Sequence, residues 1–433
     1  MDGTRPDNGR HGMVETVVIV GAGQAGIQAA ASAREHGYGG RLLVVGAEPH
    51  PPYQRPPLSK EHLREGLDDR RLALRPPSFY ADSAVEIRAG VPVTAIDRKA
   101  GEVLLADGER VRYDRLLLAT GATARELPVD APPSGVMTLR RLRDAQRLRG
   151  EAADATHVVV VGAGFLGLEV ASTMRALGKR VTVLEAGGRV LGRGVSRTVA
   201  TVLDAAHQRD GVRIRLNESV RAWTTGRGGR IGGVVTTDGR LLRADLVLVA
   251  VGVHPNVSLA AEAGLPTADG ITVGPDLLTV DPRVAAVGDC ARLVDPATDT
   301  SGRLESVQNA TDQGRAIGAW LADGQARNYA AVPWFWSEQA GRRLTIAGLV
   351  DEGDGDEVVT RGDPAAGPFT AFHLRDGFLV AAESIDATAD HMAARRLLSP
   401  SGPHTEPIDR ELLADPAVNL RTYATHRAEE TVR

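Results

Sequence analysis

Residues Val17–Gly26 read VVIVGAGQAG, and this stretch decides the fold. A β-branched run suited to a buried parallel strand enters a turn built on Gly21, Gly23 and Gly26. Gln24 and Ala25 fill the turn, and small residues continue as a helix over Ile27–Ala33. Each glycine has its own task. Gly21 permits the tight reversal, Gly23 lets a pyrophosphate approach the backbone, and Gly26 lets helix and strand pack closely. The unpaired N–H groups at the helix start, at the positive end of its dipole, face the phosphates. A second strand over Leu42–Val45 leads to Glu48, whose carboxylate is placed to accept from a ribose hydroxyl. The flanking strand, helix and distal acid distinguish a dinucleotide cradle from a plain glycine turn.

The pattern recurs. His157–Glu185 reads HVVVVGAGFLGLEVASTMRALGKRVTVLE, with Gly162, Gly164 and Gly167 in the turn, Phe165 and Leu166 among them, and Glu185 closing the second strand. Downstream of each unit comes an Asp-Gly turn, an aspartate, an apolar strand and a glycine, at identical spacing. The two copies are Ala106–Gly121 (ADGERVRYDRLLLATG) and Thr237–Gly252 (TDGRLLRADLVLVAVG). A repeat of this size argues for two dinucleotide folds. Two folds imply two dinucleotides, and a flavin with a nicotinamide is the natural pair because hydride passes between them. Glu185 stands where a 2′-phosphate would otherwise sit, which favours NADH over NADPH. Arg189 and Arg193, close by, pull the other way.

Composition removes several classes of function. At 433 residues the chain has room for two or three domains. A formal net charge of −4 speaks against non-specific binding to nucleic acid or acidic lipid. Cys290 is the single cysteine, so an intrachain disulfide, a C-x-x-C pair and a cysteine-ligated zinc or iron–sulfur site are excluded. No apolar run approaches the roughly 18 residues of a membrane span. The first dozen residues lack the apolar core of a signal peptide and read as a loose tail on a cytoplasmic protein, monomer or homodimer.

Other stretches carry candidate chemistry. Pro49–Lys60 (PHPPYQRPPLSK) cannot be a helix interior, and it ends in Arg55 and Lys60 just after the first unit. Thr279–Ala291 holds a short strand ending in Gly288-Asp289, an acid that either binds a sugar-alcohol hydroxyl or closes a turn. Leu304–Trp320 is helical from Asn309 onward. Val332–Gln339 (VPWFWSEQ) brings two of the four tryptophans together, in keeping with an aromatic cluster in a sheet. Strand-like runs follow at Arg343–Leu349, Phe369–Leu374 and Gly377–Glu383, then a helix at Ala389–Leu398.

In this order, GAGQAG, PPYQRPPLSK, ATG, GAGFLGLEV, AVG, VGDCAR, ESVQNA and PWFWSEQ, the motifs resemble the oxygenase-coupled, NADH-dependent ferredoxin reductases from about Val14 to about Ala424. The resemblance implies an α/β protein of glutathione-reductase-like plan, with two Rossmann-like domains and a C-terminal α+β domain closing over the flavin. The expected FAD domain is split, over 13–121 and 246–328, around an NAD domain over 122–245; the C-terminal domain takes 329–433.

The resemblance also implies roles. Gly21 to Gly26 would carry the FAD pyrophosphate and Glu48 its ribose, although relatives place this acid one residue earlier, at Ala47 here. Arg55 and Lys60 would reach FAD, Lys60 near the isoalloxazine. Val93 and Arg140 would contact the adenosine half, with Ala119, Thr120 and Gly121 closing the first fold and Gly252 the second. Asp289, after Gly288, would hold the ribityl chain, and Val307 and Trp336 would border the ring. Phe165 would lie against the flavin and move aside for nicotinamide. Glu169, one helical turn on, would contact the nicotinamide and pair with Lys60; taken alone it is an ordinary helix carboxylate. Two departures stand out: Gln54 replaces a family acid, and Ala340-Gly341 replaces an aromatic and an acid.

The implied activity takes hydride from NADH onto FAD and passes single electrons to a small [2Fe–2S] ferredoxin. That ferredoxin feeds a cytochrome P450 or a ring-hydroxylating dioxygenase. With one cysteine the chain cannot house the cluster itself. Arg342 and Arg343 are candidates to meet an acidic ferredoxin. Three alternatives share the layout: a flavin NADH oxidase or peroxidase, which commonly needs an early cysteine; a rubredoxin or nitrite-reductase component; and a redox-sensing protein like the apoptosis-inducing factors.

Overall fold

The computed structural model describes residues 16–129, 134–296, 300–350, 357–399 and 407–424; the N-terminal tail lies outside them. They group into two compact units. The first takes residues up to Tyr53, Ala73–Ala122 and Pro255–Tyr329; the second takes Gln54–Leu72, Thr123–His254 and the chain from Ala330 on.

In the first unit the strand Thr16–Val20 is central in a five-stranded parallel sheet. The order is Val284–Ala286, Arg115–Leu118, Thr16–Val20, Arg41–Gly46, Val85–Ala89. Val17, Val18, Ile19 and Leu116–Leu118 are fully buried, as a strand covered on both faces requires. The helix Gln24–Glu35 packs on one face, against the helix Val307–Ala316. Val307 therefore opens a helix, two residues earlier than the sequence pattern indicates. A three-stranded antiparallel sheet, beginning at Val93, is inserted in the chain between Val85–Ala89 and Arg115–Leu118, the fifth and second strands of this order.

The second unit repeats the plan. Its parallel sheet runs Val136–Thr138, Leu246–Val249, His157–Val161, Arg180–Glu185, Arg213–Leu216, strand for strand the same arrangement. The repeated aspartates have one job. Asp114 accepts from the backbone N–H of Thr16 at 2.8 Å, and Asp245 accepts from those of Thr156 and His157 at 3.0 and 2.8 Å. Each pins the start of the central strand to the start of its neighbour and satisfies N–H groups that precede the ladder.

The chain from Trp334 forms a five-stranded antiparallel sheet, in the order Trp334–Gln339, Arg342–Gly348, Phe378–Ile385, Phe369–Arg375, Glu357–Gly362. The helix Thr388–Leu397 covers it through Ala393, Ala394 and Leu397. Ala340 and Gly341 make the two-residue turn between the first two strands, with φ of 48° and 66°. Positive φ at both positions gives the twist a tight hairpin needs, and small residues suit it. This is the physical setting of the second departure noted in the sequence.

Candidate functional site

The two glycine turns are superimposable in their constraints. A Cβ at Gly21 would lie 2.0 Å from the carbonyl oxygen of Ala119, and one at Gly162 would lie 2.4 Å from that of Ala250. Both have positive φ, 118° and 104°. A Cβ at Gly26 or Gly167 would lie 2.0 Å from the carbonyl oxygen of Gly21 or Gly162. These positions admit no side chain because backbone already fills the space.

Gly23 and Gly164 differ. Among the described residues nothing lies within 4 Å of a Cβ at either. Each sits at the N-cap of a twelve-residue helix with no side-chain cap. The first N–H groups of those helices, from Gln24, Ala25 and Gly26 and from Phe165, Leu166 and Gly167, have no intrahelical acceptor. Open space in front of uncapped donors at a positive helix end fits a pyrophosphate, twice.

The ribose acids are built differently in the two folds. Glu185 accepts the N–H of Ala163 on Oε2 and that of Gly187 on Oε1, both at 2.7 Å. Ladder register pairs Val161 with Leu184 and Val20 with Val45, so the first-fold counterpart of Glu185 is Gly46. A Cβ there would lie 3.0 Å from the Ala22 methyl. The acid stands two residues on, at Glu48, which accepts from the Tyr53 hydroxyl at 2.7 Å. Tyr53 was not singled out by the sequence; its place in the proline stretch, five residues after Glu48, is the signal that was available. In the second unit Arg189 donates to the carbonyls of Val195 and Gly192 at 2.9 and 3.0 Å, so its guanidinium is committed to its own loop.

At the end of the first fold, Thr120 Oγ1 donates to the carbonyl of Asn256 at 2.7 Å, and Asn256 returns Nδ2–H to Thr120 and N–H to Gly121. Half-buried Asp289 lies in a tight turn with Gly288 at φ 75°. The N–H of Gly288 donates to buried Gln313 at 2.7 Å, and Arg303 donates to the Asp289 carbonyl at 3.2 Å. Val93 packs against the core of this unit. Cys290 is wholly buried and burial pushes its thiol pKa up.

Within the second unit the structure brings together residues far apart in sequence. One face of the helix Phe165–Ala176 carries Phe165, Glu169 and Thr173, four residues apart. Glu169 is buried and accepts three bonds of 2.7 Å: Ser59 Oγ and Lys60 Nζ on Oε2, and Ser337 Oγ on Oε1. Thr173 donates to the carbonyl of Ser59 at 2.7 Å, and Ser172 accepts from the N–H of Ala340 at 2.9 Å. The proline segment and the tryptophan strand are thus bound to one helix. Charge-assisted bonds of this kind offset part of the cost of burying the ions. Phe165 packs against Phe335, ring centroids 4.5 Å apart, and Trp336 lies 6.5 Å from Phe335. Gly194 leaves room for Phe165; a Cβ there would meet the ring at 2.8 Å. Arg55 donates to the carbonyl of Arg140 at 2.6 Å. Gly252 accepts from the N–H of Arg125 at 2.9 Å. Arg342 is paired with Asp386 at 3.0 Å, whereas Arg343 is exposed.

Two family models match the chain. Residues 15–314 match the pyridine nucleotide-disulphide oxidoreductase family and residues 334–424 the reductase C-terminal domain. The chain is 44% identical to rhodocoxin reductase of Rhodococcus erythropolis over 391 residues, which are 90% of this chain and 91% of that one. The crystal structure of the ferredoxin reductase for the CYP199A2 system of Rhodopseudomonas palustris superposes with a TM-score of 0.89 at 43% identity, covering 95% of this chain and 100% of that one. The covalent putidaredoxin reductase–putidaredoxin complex gives a TM-score of 0.89 at 35% identity, covering 95% and 99%. The chain belongs to the pyridine nucleotide-disulphide oxidoreductase family, in the branch that carries the reductase C-terminal domain.

Proposed function

We propose that the protein is an FAD-dependent NADH:ferredoxin reductase, oxidising one NADH and reducing two one-electron acceptors with release of one proton. The observation that carries this reading is the duplicated open cradle at Gly23 and Gly164, with buried Glu169 on the helix that starts at the second and its partner Lys60 brought to it from the proline segment. FAD, when bound, accepts two electrons as hydride and returns them singly. The chain's part is to bind and orient. Gly21–Gly26, Glu48 and Asp289 would hold FAD, joined by Arg55, Val93, Ala119–Gly121, Arg140, Val307 and Trp336. Gly162–Gly167, Glu185 and Gly252 would hold NADH. Glu169 fixes the Lys60 ammonium, and Phe165 screens the nicotinamide site until the ring enters. Glu185, with Arg189 turned to its own loop, supports NADH over NADPH.

The domain boundaries follow the same reading: an FAD domain over 13–121 and 246–328, an NAD domain over 122–245 and a C-terminal domain from 329. The acceptor is a small iron–sulfur ferredoxin serving a cytochrome P450 or a dioxygenase, in the cytoplasm. Among the described residues no helix is long and apolar enough to cross a membrane. A thiol peroxidase is disfavoured because the single thiol is buried. The test is anaerobic addition of NADH to the purified yellow protein. Bleaching of the flavin band at about 450 nm is expected, followed by recovery on adding oxidised ferredoxin. A protein that stays colourless with free FAD, or does not bleach, refutes the assignment.

A further inference from the structure

Behind Glu169 runs a buried chain of polar groups that the mechanism above does not use. Ser337 Oγ accepts from Gln339 Nε2 at 3.0 Å, and Gln339 Oε1 meets His207 Nε2 at 2.9 Å. Ser337, Gln339 and His207 are 0%, 2% and 0% exposed. Ser337 and Gln339 are two apart on one strand and so share a face.

The carboxylate sets the direction of every bond. Ionised Glu169 only accepts, so the Ser337 hydroxyl must donate to it and must itself be the acceptor for Gln339. The Gln339 amide then presents its N–H₂ to Ser337 and its oxygen to His207. An oxygen there requires the proton on His207 Nε2. Its Nδ1 is buried with no hydrogen-bond partner among the described residues. Burial also lowers the pKa of this imidazole, so it is neutral. The chain therefore runs one way, from His207 Nε2–H to Glu169 Oε1.

Resting on the reading that Glu169 faces the nicotinamide, we propose that Ser337, Gln339 and His207 are positioning residues that aim Glu169 at the carboxamide of that ring. A carboxylate has about four acceptor sites. Ser59 and Lys60 occupy Oε2, and Ser337 occupies one side of Oε1, which leaves one site on Oε1 for an amide N–H donor. Without Ser337 the carboxylate keeps its two partners on Oε2 but loses its bond on Oε1, so it can tilt about its last bond and the free site is aimed less narrowly.

The test is calorimetric binding of NAD+ to the oxidised holoenzyme, beside steady-state kinetics with NADH. Ser337→Ala is expected to raise the NAD+ dissociation constant about tenfold, with a larger effect on KM than on kcat. Ser337→Thr, which keeps the hydroxyl, is expected to restore it. Should Ser337→Ala fail to fold, Gln339→Met removes the chain and leaves the hydroxyl; a rise of about threefold is expected. Nitrogen chemical shifts of His207 should report a neutral Nε2–H ring in the wild type. Glu169→Gln separates the two claims. If it weakens NAD+ binding while the folded Ser337 and Gln339 variants bind like wild type, the positioning chain is refuted and the reading of Glu169 survives. If Glu169→Gln binds NAD+ like wild type, the reading of Glu169 fails and the chain's role with it.

Discussion

Replacing Gly23 by alanine should remove the flavin without unfolding the chain. Gly23 has φ −84° and ψ −170°, open to any residue, and among the described residues nothing lies within 4 Å of its missing Cβ. Alanine is a slightly poorer N-cap than glycine but lowers the entropy of the unfolded chain. These opposing terms are each about 0.5–1 kcal/mol, so the flavin-free protein should melt within about 3 °C of wild type. Phosphate binding has no such offset. The methyl group occupies the approach to the helix N–H groups, and each charge-assisted bond is worth about 1.5–3 kcal/mol. Loss of one raises the FAD dissociation constant about 10- to 100-fold. Gly26→Ala is the control: its Cβ would lie 2.0 Å from a carbonyl oxygen. Overpacking of that kind costs about 1–3 kcal/mol or more and should lower the melting temperature of the flavin-free protein. The assay is flavin absorbance per mole of polypeptide after dialysis, an FAD fluorescence titration, and thermal melts of both flavin-free variants. Unchanged FAD affinity in Gly23→Ala, or an equal loss of melting temperature in the two variants, refutes the reasoning.

Three further outcomes are expected. Tyr53→Phe should raise the FAD dissociation constant about three- to tenfold, since it deletes the hydroxyl bonded to Glu48; equal affinity would show that Glu48 needs no orientation. Glu185→Gln keeps size and one acceptor but loses the charge that repels a 2′-phosphate, so the ratio of kcat/KM for NADPH over NADH should rise about tenfold; an unchanged ratio would move discrimination elsewhere. His391 is buried beside Trp334, and burial, with Arg395 and Arg343, lowers its pKa to about 4. The unfolded chain takes up this proton first, near pH 6.5, so stability is unaffected above that pH and falls as pH drops toward 4. Melts from pH 7 to 4.5 should show a shallower decline for His391→Phe than for wild type; parallel curves would refute the assignment.

What was legible in the sequence was local in the chain. Gly21, Gly26, Gly162 and Gly167 are fixed by backbone within a few residues or one neighbouring strand, so spacing alone identifies them. Asp114 and Asp245 showed themselves as a repeat, though their role as strand-start acceptors needed the ladder. Glu48 was legible as an acid after the second strand, but not that register puts Gly46 opposite Glu185 or that Tyr53 reaches back to it. The network on Glu169 joins residues 109, 110 and 168 positions away from it. Lys60 was expected there only through resemblance. Ser59 and Ser337 carry no periodic or spacing signal, because a serine that satisfies a distant carboxylate looks like any other serine.

Cys290 has a practical consequence. Its sulfur sits 3.3 Å from the Val287 carbonyl and 3.6 Å from that of Leu118, sealed from solvent. Maleimide and nitroxide reagents attack the exposed thiolate, so the native chain should be almost silent to them. One cysteine engineered onto the surface would then give a homogeneous attachment point for a dye or spin probe, with no native thiol to remove first. Distances from such probes to a labelled redox protein would map the encounter complex directly in solution.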